Sequence, residues 1–143
     1  MREIKFRGKA FNENGIECLP KWVYGNLIIS DNGDCFITQW TRSIGIGYES
    51  VTYEVDPKSV GQYTGLKDKN GKEIYEGAIV KGKSYRSATP RRLIGKVQYR
   101  YNEFIVYGIG KYTFMVEELC TTFEILGNVY EHPNLLGVLE CER

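Results

Sequence analysis

Between Val55 and Lys81 the chain reads Val-Asp-Pro-Lys-Ser-Val-Gly-Gln-Tyr-Thr-Gly-Leu-Lys-Asp-Lys-Asn-Gly-Lys-Glu-Ile-Tyr-Glu-Gly-Ala-Ile-Val-Lys, and no other stretch limits the fold as tightly. Gly61, Gly65, Gly71 and Gly77 break its short apolar runs too often for a helix of ordinary length. Asn70-Gly71 accepts the positive φ angles of a tight hairpin loop, and residues 73–81 then read as a strand entered through Gly77. Pro57 lacks a backbone donor and restricts Asp56 before it, which makes Asp56-Pro57 the best boundary in the chain. A chain punctuated this way is committed to short strands and turns.

The same grammar runs through the rest of the sequence. Ile4, Phe6 and Arg7 open a first strand, and Asn14-Gly15 marks a turn. Trp22 to Ile29 and Cys35 to Trp40 read as strands joined by the Asp31-Asn-Gly-Asp34 hairpin turn. Residues 41–47 read as a loop. Residues 48–55 alternate, with Val51, Tyr53 and Val55 on one face and Ser50, Thr52 and Glu54 on the other. Residues 59–66 form an arm, and 82–92, polar and containing Pro90, a long loop. Residues 93–100 and 103–107 make a hairpin, and 123–130 a final strand. Short helical turns are expected near 116–120, where Val116, Leu119 and Cys120 share a face, and near 134–139, with His132 or Asn134 at the cap. The fold class is mainly β, a β meander, either one continuous domain or a lobe of residues 1–56 and a lobe of residues 57–143.

Four blocks resemble the YopX family of small phage and prophage proteins: Ile4-Lys-Phe-Arg7, Trp22-Val-Tyr-Gly-Asn-Leu27, the long block from Val60 to Lys81, and Phe123-Glu-Ile-Leu-Gly-Asn-Val-Tyr-Glu-His-Pro-Asn-Leu-Leu136. Gly77-Ala78 departs from the pattern, which often has an acidic residue after that glycine. The resemblance implies a small SH3-like β-barrel in the C-terminal lobe, a phage or prophage origin and a setting in the bacterial cytoplasm. It transfers no catalytic residues.

Charge is segregated beneath a formal net charge of +1. Residues 77–102 hold seven basic side chains and no acidic one, whereas residues 103–143 hold two basic and seven acidic. Lys81, Lys83, Arg86, Arg91, Arg92, Lys96 and Arg100 are interleaved with Tyr85, Tyr99 and Tyr101. Cations attract phosphate and release counterions, and tyrosine faces stack on unpaired bases. The block is therefore a candidate nucleic-acid surface. The competing reading is a solvated surface that pairs with the acidic C-terminal third, and both stay open at this point. Trp22, Tyr24, Trp40 and Tyr48 crowd the N-terminal lobe, which is small for the burial of so many aromatic rings. They are candidates for an interface with a host or phage protein, or with a second copy in a homo-oligomer.

Other chemistry finds little support. His132 is the only histidine, and Cys18, Cys35, Cys120 and Cys141 have no CxxC spacing, so neither a zinc site nor a disulfide framework is indicated. His132 with Cys120 has no local feature of a nucleophile and its base. Glu73 and Glu76 fall on opposite faces of a strand, and Glu117-Glu118 suits a solvated surface. No phosphate-binding glycine loop is present. No apolar run approaches the roughly 20 residues of a membrane span, and the N-terminus lacks the apolar region of a signal peptide. The expectation is a cytoplasmic, non-enzymatic binding module with no cofactor and no membrane contact.

Overall fold

The computed structural model describes residues 3–11, 22–45, 47–84, 91–108, 111–114 and 123–135. Eleven strands follow in order: β1 (Phe6–Lys9), β2 (Trp22–Ile29), β3 (Cys35–Ser43), β4 (Gly47–Val55), β5 (Gly61–Lys67), β6 (Glu73–Tyr75), β7 (Ala78–Ser84), β8 (Arg91–Arg100), β9 (Glu103–Gly108), β10 (Lys111–Phe114) and β11 (Glu124–Asn128). A 3₁₀ turn, Pro57–Ser59, separates β4 from β5. The fold is mainly β and is built from two antiparallel sheets. The chain divides into two compact units, residues 1–63 and 64–143, and passes from one to the other within β5.

In the first unit the strand order is β4-β3-β2-β1, and the first residues of β5 pair with β1 through Phe6↔Gln62 and Arg7↔Gly61. The β3–β4 ladder is continuous from Cys35↔Val55 to Ser43↔Gly47. Of the residues expected to form a loop at 41–47, 41–43 prolong β3 and Gly47 opens β4, while 44 and 45 form a turn. Val23, Cys35, Ile37 and Val55 form the core, with Phe6, Leu27, Tyr53 and Val60 packed against it. Asp56-Pro57 lies inside this unit. Asp56 Oδ1 accepts from Lys58 N at 3.0 Å, and Ser59 Oγ donates to Asp56 O at 2.6 Å and accepts from Lys9 N at 2.8 Å. These bonds fold the proline turn back onto β1, so the division falls later, at Tyr63/Thr64.

In the second unit the order is β10-β9-β8-β7-β11. Alternation sends Ala78, Val80, Leu93, Val97 and Val106 to one face, where they pack with Ile74 and Phe123. Phe123 packs against Gly82; a Cβ on that glycine would stand 2.5 Å from the ring. Thr64 Oγ1 donates to Ile74 O at 2.8 Å and ties β5 to β6. Residues 73–81 are two strands rather than one, because Gly77 adopts φ 90° and turns the chain between β6 and β7.

Among the described strands of the second unit no barrel closes. β10 and β11 lie at opposite ends of an open order, and closure requires tilted, staggered strands whose two edges meet. The helical turn expected at 116–120 lies outside the described residues. Of the one expected at 134–139, residues 133–135 form a helical turn and 136–139 lie outside the description.

Candidate nucleic-acid interface

Of the loop expected at 82–92, residues 82–84 belong to β7 and Arg91 and Arg92 to β8, while 85–90 lie outside the described residues. This changes what the basic block can do, because strand alternation sorts its side chains by face. The register Ile79↔Lys96, Lys81↔Ile94 and Lys83↔Arg92 puts Lys81, Lys83, Arg92 and Lys96 on one face, and Arg100↔Glu103 adds Arg100. This is the face opposite the core. Lys83 and Arg92 are directly opposed, about 5 Å apart at Cα, and Lys81 follows about 7 Å along β7. The cations surround Ile79 and Ile105, two fully buried residues of the same face. The middle of the face is therefore covered, with Lys96 half-buried, and the exposed charge stands at its ends, Lys81, Lys83 and Arg92 at one and Arg100 at the other.

The aromatic residues divide differently from the sequence expectation. Tyr99 points to the other face, where it meets Phe104 edge-on with ring centroids 5.1 Å apart. Its place beside the cations is taken by Tyr107, opposite Lys96 in the ladder, with the Arg100 guanidinium 5.4 Å from its ring centre. Tyr101 and Asn102 turn the β8–β9 hairpin with φ of 55° and 62°. Left-handed backbone is uncommon for a bulky residue, and Tyr101 holds it while 69% exposed. Tyr85 and Arg86 lie outside the described residues, as does the side chain of Arg91, which stands opposite Ser84.

Two acidic residues enter this face: Glu103, the ladder partner of Arg100, and Glu124. Glu124 on β11 is the ladder partner of Lys81, with their charged atoms 3.6 Å apart, and it also pairs with Lys69 at 3.3 Å. The hydrogen bond and charge of Lys69, helped by Lys81, hold the Glu124 carboxyl below the usual range. So the basic block does pair with the acidic C-terminal third, at Lys81. Asp68 sets up this pairing from within the Asn-Gly turn. Its Oδ1 accepts from Asn70 N and Lys72 N at 2.8 and 2.9 Å, and its Oδ2 from Ile125 N at 3.2 Å. Lys69 N donates to Phe123 O at 2.9 Å, so the turn grips β11 on both sides of Glu124. Neither Asp68 nor Glu124 was singled out by the sequence reading. Asp followed by Asn-Gly is an Asx-turn signal that points to Asp68; nothing in the sequence pairs Glu124 with Lys81.

The four aromatic interface candidates converge in the first unit. Trp22↔Lys9 and Tyr24↔Arg7 place Trp22 and Tyr24 on the face away from the core. Trp40↔Ser50 and Arg42↔Tyr48 place Trp40 and Tyr48 there too. Trp40 is 58% and Tyr48 70% exposed, with Tyr24 and Ile28 exposed beside them. Trp40 Nε1 donates to Asn26 Oδ1 at 2.8 Å, and the Arg7 guanidinium lies 5.0 Å from the centre of the Trp22 ring.

His132 has a structural post: its Nδ1 accepts from Asn128 N at 3.3 Å beside Gly127, where a Cβ would collide with the imidazole. Cys120 lies outside the described residues, as do Cys18 and Cys141, and Cys35 is a buried free thiol. Among the described residues no three His, Cys, Asp or Glu side chains gather as a metal site, and no helix is long and apolar enough to cross a membrane.

A family model described as YopX protein matches residues 5–137. Among solved structures, the crystal structure of protein EF1440 from Enterococcus faecalis is similar with a TM-score of 0.57 and 23% identity, covering 95% of this chain and 99% of that one. The crystal structure of protein yopX from Bacillus subtilis is similar with a TM-score of 0.52 and 20% identity, at the same coverage of both chains. At this identity the likeness concerns the fold. No curated protein matches.

Proposed function

The chain belongs to the YopX family, and from that footing we propose that it is a non-enzymatic β-rich binding module whose ligand is nucleic acid, held on the basic face of β7 and β8. One observation carries the reading: Lys81, Lys83, Arg92, Lys96 and Arg100 share the face opposite the core. A sheet face of this kind offers cations at fixed spacing to a phosphate backbone, and the exposed Tyr101 at the adjoining hairpin tip offers a ring to an unpaired base. Phosphate contacts of this type give affinity without sequence preference. In this reading the protein is a phage or prophage accessory factor acting in the cytoplasm of a bacterial host, a setting that the family resemblance implies.

Fluorescence anisotropy of labelled single- and double-stranded DNA and RNA tests the proposal. The Lys83→Glu/Arg92→Glu double variant is expected to bind at least about 30-fold more weakly at low salt, since two phosphate contacts become repulsive. Unchanged binding by that variant would overturn the assignment of the face.

The aromatic face of the first unit favours a second reading, a contact with a host or phage protein through Trp40, Tyr48 and Tyr24, residue types enriched in interfaces. A partner bound there is retained by the Lys83→Glu/Arg92→Glu variant and lost on Trp40→Ala.

A further inference from the structure

β4 is the outer strand of its sheet, and its outer edge has two parts. At the C-terminal end, Glu54 O accepts from Phe11 N at 3.0 Å, Asp56 N donates to Lys9 O at 2.9 Å, and Ala10 bridges Val55. Those bonds identify the residues whose backbone groups point away from β3. Glu54 and Asp56 do so. Orientation repeats every second residue in a ladder without bulges, so Thr52, Ser50 and Tyr48 do so as well. Their outward N–H and C=O groups have no backbone partner among the described residues. Strand edges in natural proteins are usually blunted by proline, lysine, a bulge or a covering segment. Gly47–Tyr53 has no proline, no lysine and no bulge, and residues 47–52 are exposed, Val51 at 52%.

We propose that this edge pairs with the same edge of a second copy of the chain, antiparallel, about a two-fold axis at Ser50. The open segment selects that register. With the axis at Ser50, Tyr48 faces Thr52 of the second copy and Ser50 faces Ser50, so every outward backbone group meets another outward group. Moving the axis to Thr52 demands the carbonyl of Glu54, which Phe11 already holds. Moving it to Tyr48 runs the pairing past Gly47. A shift that centres on an odd-numbered neighbour of Ser50 again calls on Glu54 or leaves Thr52 without an opposite. The side chains agree with the Ser50 register. Tyr48 meets Thr52, an aromatic against a β-branched residue, and Glu49 meets Val51, so no like charges stand directly opposed.

The edge lies in the first unit and does not depend on the nucleic-acid reading; the variants below leave Lys83 and Arg92 intact, so loss of the dimer and loss of nucleic-acid binding are read separately. Sedimentation equilibrium across a concentration series is the test, with far-UV circular dichroism confirming the fold. Ser50→Pro removes an N–H that points away from β3, so the β3–β4 ladder keeps its bonds. Ser50→Lys sets two ammonium groups against each other at the axis. The wild type is expected to dimerise, and each variant to raise the dimer Kd by about tenfold or more with an unchanged spectrum. If Ser50→Pro fails to fold, Ser50→Lys decides alone. A wild type that stays monomeric, or a dimer that Ser50→Lys does not weaken, overturns the proposal.

Discussion

Replacing Asp68 with alanine isolates the contact that seats β11 beside β7. Asp68 is 6% exposed, and its carboxylate accepts three backbone N–H groups, from Asn70, Lys72 and Ile125. In the alanine variant the first two donors belong to an exposed turn and turn to water, at about 0.5–1 kcal/mol each. The third sits on a half-buried strand and loses its partner at about 1–3 kcal/mol. The expected loss is therefore about 3 kcal/mol. Asp68→Asn keeps an oxygen for Asn70 and Lys72 but presents an N–H to the N–H of Ile125, and is expected to lose about 1–2 kcal/mol. Urea unfolding followed by circular dichroism measures both. The pH dependence supplies a sign. Burial works to raise the Asp68 pKa, but the bonds from Lys72, Ile125 and Asn70 outweigh it and hold the group below its ordinary 3.8. A depressed folded-state pKa stabilises fully above the unfolded value and is lost as pH falls through the folded one. The gap between wild type and Asp68→Asn should therefore stay constant at neutral pH and close only at pH values below the ordinary carboxylate range. An alanine variant within about 0.5 kcal/mol of wild type would refute the account of how β11 is held.

Further outcomes follow from the same geometry. Gly82→Ala pushes a methyl group into the Phe123 ring and should cost about 1–3 kcal/mol in urea unfolding. Phe123→Ala opens a cavity in the second core and should cost about 3–5 kcal/mol in the same assay. Tyr101→Asn relieves left-handed strain and should raise stability by about 1 kcal/mol; the same change should weaken single-stranded nucleic-acid binding by removing a stacking ring. Glu124→Gln releases Lys81 and Lys69 from their carboxylate and should tighten nucleic-acid binding in the anisotropy titration, with a steeper salt dependence.

The β class and most of the strands were legible because turn chemistry is local. Asn32-Gly33 and Asn70-Gly71 sit in turns, and β2 occupies the residues read from its sequence. β10 was missed, although Lys111-Tyr-Thr-Phe has strand-forming residue types, because four residues after the glycines at 108 and 110 are too short for a periodic signal. The turn at Tyr101-Asn102 was legible as a hairpin, but its left-handed tyrosine was not, since that position ordinarily favours glycine or asparagine. The basic block was legible as composition. Its division between two faces, which keeps Lys83 with Arg92 and sends Tyr99 away, depends on register, and register depends on pairing partners far along the chain. The Glu124–Lys81 pair is hidden for the same reason, because β11 reaches β7 only through the folded sheet.

The salt dependence of wild-type binding to a labelled single-stranded oligonucleotide tests the central claim most directly. Four or five phosphate contacts on the β7–β8 face predict a slope of log K against log salt near −3, or about 50- to 100-fold weaker binding between 50 and 200 mM salt. Absence of binding at low salt, or an affinity indifferent to salt, would contradict a phosphate-binding role for Lys83, Arg92, Lys96 and Arg100.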